Sequence, residues 1–155
     1  MNVRRIFGAV GALALAAGGV LASSTPAQAT VTVCTYTVDS VRALDLQEDG
    51  VNSTDEIWVV INGIFFRSDS VAIKPSDGTV SGTRFGDQTP TPQRPRLSST
   101  GSASIGLVED DLWPDGNDPL DADTVSCAVD SDTLVISDEA DYEYLVHYTV
   151  TTTQV

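Results

Sequence analysis

The stretch Ile57–Arg67, IWVVINGIFFR, leaves little choice of local structure. Its two arms are nearly continuous in β-branched, aromatic and other apolar residues, which favour strands. Asn62-Gly63 between them is the pair best suited to positive φ at both central positions of a two-residue type I′ turn. The chain is therefore expected to reverse here as a β-hairpin. Since both arms are apolar on both faces, the hairpin is expected to be central to the core, with Trp58 as its core aromatic.

Period-two patterning recurs along the chain. Val31, Val33, Thr35 and Thr37 alternate with Thr32, Cys34, Tyr36 and Val38, giving a first strand expected to continue through Val41 to Leu44. Val71-Ala72-Ile73 is a short strand ended by Pro75 and Gly78, and Val80–Phe85 is a candidate for another. Gly101–Glu109, Thr124–Val129, Thr133–Ser137 and Tyr142–Thr151 supply the later strands. Thr89–Thr100 holds three prolines and reads as a long connection or an edge. Nothing longer than a turn has helical period. The fold class expected is all-β: a single antiparallel β-sandwich of about seven or eight short strands.

Residues 1–29 stand apart. Arg4 and Arg5 form a basic start, an apolar Ala/Gly-rich run follows to about Ala22, and Ala27-Gln28-Ala29 is a small-x-small cleavage site. This is a signal peptide of bacterial character, leaving one domain, 30–155, outside the cell. Arg4-Arg5-Ile6-Phe7 partly matches a twin-arginine signal, so the export route stays open. No segment after cleavage is long and apolar enough to span a membrane as a helix.

The full chain carries 22 Asp and Glu against 8 Lys and Arg, a formal charge of −14. None of the acids lies in the leader, whereas Arg4 and Arg5 do, so the exported part is more acidic still. Such a charge excludes nucleic acid as a partner, because its binding depends on phosphate neutralisation by Lys and Arg. It favours solubility, cation binding or a basic partner. The two cysteines, Cys34 and Cys127, both lie in the exported part and are expected to form one disulfide. The loop closed is roughly 90 residues, for which chain entropy gives about 4–5 kcal/mol.

The acids are not spread evenly. Leu107–Asp123, LVEDDLWPDGNDPLDAD, holds Glu109, Asp110, Asp111, Asp115, Asp118, Asp121 and Asp123, with Pro114, Gly116, Asn117 and Pro119 marking a loop. A second acidic stretch, Asp45–Glu56, holds Asp45, Glu48, Asp49, Asp55 and Glu56. Two readings are open. The acids are simply solvated, or they converge on a hard cation such as Ca²⁺, which takes six to eight oxygen ligands from flexible loops. Trp113 at the loop tip is a candidate for insertion into a surface or partner, or for a local cap.

These two stretches carry a resemblance. In Leu46–Val59 a hydrophobic residue, an Asp, a short Gly-containing spacer, a second Asp and a strand follow one another. Here Asp49 and Asp55 are the aspartates, but Glu56-Ile57 stands where Pro-Tyr is usual. In the other stretch Glu109-x-Asp111 is followed by Asp118-Pro119-Leu120, although Asp121 stands where Gly is usual. The pattern resembles the calcium- and lipid-binding (C-two-like) β-sandwich domain. The resemblance implies a Ca²⁺ site made by Asp49, Asp55, Glu109, Asp111 and Asp118, on two loops that meet at one end of the sandwich.

Catalysis finds little support in the residues present. His147 is the only histidine and sits in a strand pattern between Val146 and Tyr148. Gly101-Ser102-Ala103-Ser104-Ile105-Gly106 lacks the spacing of a nucleophile elbow. A catalytic zinc site would need several His or Cys. The function expected is thus a secreted, monomeric, non-enzymatic module that binds Ca²⁺ and presents its ordered loops to a protein, glycan or other surface. The alternative is a metal-independent interaction or inhibitor protein whose acidic face meets a basic partner.

Overall fold

We describe the fold from a computed structural model, over residues 29–46, 54–110, 117–138 and 141–155. The leader up to residue 28, Asp49, Asp111, Asp115 and Trp113 lie outside the described residues. Ten strands follow in order: β1 (Thr32–Asp45), β2 (Asp55–Ile61), β3 (Ile64–Phe65), β4 (Val71–Ile73), β5 (Val80–Ser81), β6 (Arg96–Ser99), β7 (Ala103–Asp110), β8 (Asn117–Val125), β9 (Asp130–Asp138) and β10 (Tyr142–Gln154). Two short 3-10 turns, Pro75–Asp77 and Gly82–Arg84, are the only helical pieces among the described residues.

The strands form two antiparallel sheets. One has the order β5-β1-β10-β9, with β6 also pairing β1. The other has the order β3-β2-β7-β8, with β4 also pairing β2. Alternation decides what each strand buries. On β10 the inward residues are Tyr142, Tyr144, Val146, Tyr148 and Val150, all buried. On β1 they are Cys34, Tyr36, Val38, Val41 and Ala43. The second sheet answers with Ile57, Val59 and Ile61 from β2 and Ala103, Ile105 and Leu107 from β7. Two sheets closed over such apolar faces are a β-sandwich.

Register pins the details. The ladder of β1 and β10 slips between Val38 and Ser40, which frees Asp39 from regular pairing. Asp39 turns outward and accepts from Arg94 Nη1 at 2.5 Å and Thr149 Oγ1 at 2.6 Å. In this way the proline-containing connection is tied down before its end becomes the edge strand β6. Cys34 on β1 and Cys127, just after β8, are joined as a disulfide with Cα atoms 5.5 Å apart. It links the first sheet to the chain leaving the second.

The hairpin forms with φ of 51° at Asn62 and 76° at Gly63, as a type I′ turn requires. Asn62 is also tied to β7, accepting from Ser104 N at 2.7 Å through Oδ1 and donating its own N–H to Ser104 O at 2.9 Å. Only β2, the first arm, is central. The second arm, β3, is two residues long, and Ile64 and Phe65 are about half exposed at 47% and 48%. Trp58 is not a core aromatic either. It alternates with the buried Ile57 and Val59, so it faces outward, where its ring meets Phe65 edge-on at 5.6 Å.

The acidic stretch 107–123 is not one loop. Leu107–Asp110 completes β7 and Asn117–Asp123 belongs to β8. Pro119 is tolerated there because, among the described strands, β8 is an edge with β7 as its one ladder partner.

Candidate functional site

Three connections leave the sandwich at the same end. β1 finishes at Asp45 and β2 begins at Asp55; β7 finishes at Asp110 and β8 begins at Asn117; β9 finishes at Asp138 and β10 begins at Tyr142. Pairing fixes their proximity: Asp45 opposes Glu143, Ile57 opposes Glu109, Glu109 opposes Asp118, and Asp138 opposes Tyr142. The two acidic stretches, more than fifty residues apart in sequence, are therefore anchored side by side.

Of the five residues expected to hold a cation, three are among those described, and all three lie at this end. Asp55 is the first residue of β2 and continues its inward set with Ile57, Val59 and Ile61. Glu109 continues the inward set of β7 after Ala103, Ile105 and Leu107. Both carboxylates are buried, Asp55 completely and Glu109 at 2% exposure. Asp118 opposes Glu109 on β8 and is exposed. Asp49 and Asp111, the other two, fall outside the described residues.

The opposite sheet meets this acidic end with phenols. Tyr144 on β10 donates its hydroxyl hydrogen bond across the sandwich to Asp55 Oδ2. Tyr142 donates to the carbonyl of Leu120 on β8. Burial raises the Tyr144 pKa well above the usual tyrosine value, and the hydrogen bond to Asp55 and the charges of Asp55 and Glu109 raise it further. A phenol held neutral is a dependable donor, so Tyr144 fixes the orientation of the Asp55 carboxylate from the far sheet. The two tyrosines were visible in the sequence only as strand alternation, and nothing there marked them as partners of Asp55 or Leu120.

Among the described residues, no three His, Cys, Asp or Glu side chains stand close enough together to hold a metal ion. What this end does hold is two buried carboxylates, Asp55 and Glu109, with the exposed Asp118 opposite Glu109 in the ladder. His147 sits in β10 with Nδ1 at 2.6 Å from Thr133 Oγ1, a strand histidine with a local partner.

Two hollows lie elsewhere on the surface. One of about 540 Å³ runs between Phe65, Phe66, Arg67, Asp69 and Asp87. The other, about 470 Å³, lies over the second sheet between Val60, Gly106, Val108, Pro119 and Ala122.

No protein-family model matches this chain, and no curated protein matches it. Among solved structures, the first C-two domain (the A domain) of a plant extended synaptotagmin 1 is similar in fold, with a TM-score of 0.49 and 8% sequence identity. The similarity covers 83% of this chain and 98% of that one.

Proposed function

We propose that the protein is an exported, non-enzymatic β-sandwich whose acidic end binds Ca²⁺ and, once neutralised, presents its loops to a surface or partner. The observation that carries this reading is the meeting of the two acidic stretches at one end, with Asp55 and Glu109 both carried into the interior there. Carboxylates carried into the interior at the end where two acidic stretches meet are suited to sharing a bound cation, which adds to whatever partners they already have. The donors are carboxylates only, which suits a hard ion with many oxygen ligands rather than zinc. Asp55, Glu109 and Asp118 would be joined by Asp49 and Asp111 from the adjoining loops. The ion would supply charge neutralisation and would order the two loops, while Tyr144 would keep Asp55 aligned.

Calcium titration calorimetry on the exported part, residues 30–155, tests the reading. One saturable Ca²⁺ event is expected, with a Kd of about 10⁻⁴–10⁻³ M as in other extracellular modules. The Asp111→Asn/Asp118→Asn variant should lose it while keeping its fold. Absence of calcium heat in the wild-type protein, or heat unchanged in the variant, would overturn the assignment.

A further inference from the structure

The side of the sandwich between the two acidic edge strands has a composition of its own. After Arg96 the chain contains no Lys or Arg, although thirteen Asp and Glu follow. β8 ends the second sheet and β9 ends the first, and each has one ladder partner among the described strands. Register shows which way their acids face. Directly opposed residues of an antiparallel pair share a face. On β8, Asp121 opposes the buried Leu107 and Asp123 opposes the buried Ile105. On β9, Asp132 opposes the buried Tyr148 and Asp130 opposes the buried Val150. All four acids belong to the inward faces of their sheets, yet all four are exposed. They therefore line an opening where the two edges fail to close over the core.

A separate observation lies beneath them. Tyr148 is 7% exposed, and its hydroxyl makes no hydrogen bond among the described residues, unlike those of Tyr36, Tyr142 and Tyr144. Asp132 and Asp130 from one sheet and Asp123 from the other all act on this one phenol and hold its proton on, after burial itself. In the ladder Tyr148 lies directly opposite Asp132, on the face that Asp130 shares, and Asp123 of the other sheet is near enough to act on it. Leu134, inward on β9 opposite Val146, adds apolar surface beside them.

We infer that this opening, built from Asp121, Asp123, Asp130, Asp132 and Tyr148, is a docking site for an extended segment of a partner protein with alternating Lys or Arg. Paired acids two residues apart on a strand repeat at about 6.5–7 Å, the same repeat at which alternate side chains leave an extended chain. Basic side chains suit that apolar surface as well, because their methylene stems lie along it while their heads stay polar. A second copy of this chain is the wrong occupant, since it brings the same negative charge. A metal ion is also a poor match, because no three of the described acids converge on one point. Charged edges do protect sheets from self-pairing, but protection alone needs neither inward-facing acids nor a largely buried tyrosine set opposite one of them.

The inference stands independently of the calcium reading, and its test is run in chelator. The probe is a fluorescein-labelled peptide alternating arginine and valine, followed by anisotropy in about 150 mM NaCl, where long-range attraction is screened. Saturable binding is expected, weakened about tenfold by Asp123→Asn/Asp132→Asn and about threefold by Tyr148→Phe. Asp69→Asn/Asp77→Asn, which removes the same charge elsewhere, should leave it within about twofold, and thermal melts confirm that each variant is folded. A peptide with the arginines in one block should bind more weakly. Equal losses in the two double variants, no effect of Tyr148→Phe, or no saturable binding would overturn the assignment. Displacement of the peptide by CaCl₂ beyond the effect of matched NaCl would assign the opening to a cation instead.

Discussion

Tyr144→Phe isolates the hydrogen bond that joins the two sheets at the acidic end. The ring fills the same space, so the change removes a hydroxyl and nothing else. That hydroxyl donates to a completely buried carboxylate. Hydrogen bonds to charged groups contribute about 1.5–3 kcal/mol, against about 1 for neutral pairs. A loss of about 2 kcal/mol is therefore expected, which lowers the melting temperature by about 8 °C for a domain of this size. Tyr36→Phe is the internal control. Its hydroxyl, at 2.7 Å from Gly101 O, donates to a neutral carbonyl, so it should cost about half as much. Thermal unfolding of both variants in chelator, followed by circular dichroism, gives the comparison. If Tyr36→Phe destabilises as much as Tyr144→Phe, or if Tyr144→Phe melts with the wild type, the Tyr144–Asp55 hydrogen bond is not the stronger of the two and the reasoning fails.

Three other outcomes follow from the same structure. Tyr36, Tyr142, Tyr144 and Tyr148 all have pKa values raised chiefly by burial. Below about pH 10 they are protonated in both states, and above it the unfolded chain sheds protons first, so stability should fall as pH rises. Absorbance at 295 nm should then show phenolate appearing together with unfolding, and not before it. Replacing Cys34 and Cys127 by Ser opens a crosslink spanning 93 residues, which corresponds to about 4–5 kcal/mol in the chain-entropy model. The midpoint in urea should fall accordingly, with an unchanged midpoint counting against the link. Gly106→Ala puts a Cβ 2.6 Å from both Ala122 Cβ and the Asp121 carbonyl, so a loss of about 1–3 kcal/mol is expected from thermal melts.

Elements with a clean period of two were legible in the sequence. β1, the Asn62-Gly63 turn, the alternation along β10 and the single disulfide all follow from local residue choice. What local pattern could not supply was phase where both faces are apolar. IWVVI fits either orientation, and only the sandwich decides that Ile57 and Val59 face in while Trp58 faces Phe65 outside. Composition misled in the opposite sense at Leu107–Asp123. Dense carboxylates suggested one long loop, yet edge strands accept charge and proline readily, and most of the stretch is the paired ends of β7 and β8. A signal for the buried Glu109 was present, since it continues the beat of Ala103, Ile105 and Leu107. The tyrosine contacts to Asp55 and Leu120 join residues distant in sequence and have no local signature.

The most direct test of the acidic end is the melting temperature of residues 30–155 in chelator, in millimolar CaCl₂, and in MgCl₂ and NaCl at matched ionic strength. A ligand that binds the native state stabilises it by RT ln(1 + [L]/Kd), so a Kd of about 10⁻⁴ M gives a shift of several degrees at about 5 mM Ca²⁺. The account predicts a rise with CaCl₂ that exceeds those with MgCl₂ and NaCl. Equal rises in all the salts would reduce the effect to charge screening and contradict the calcium site.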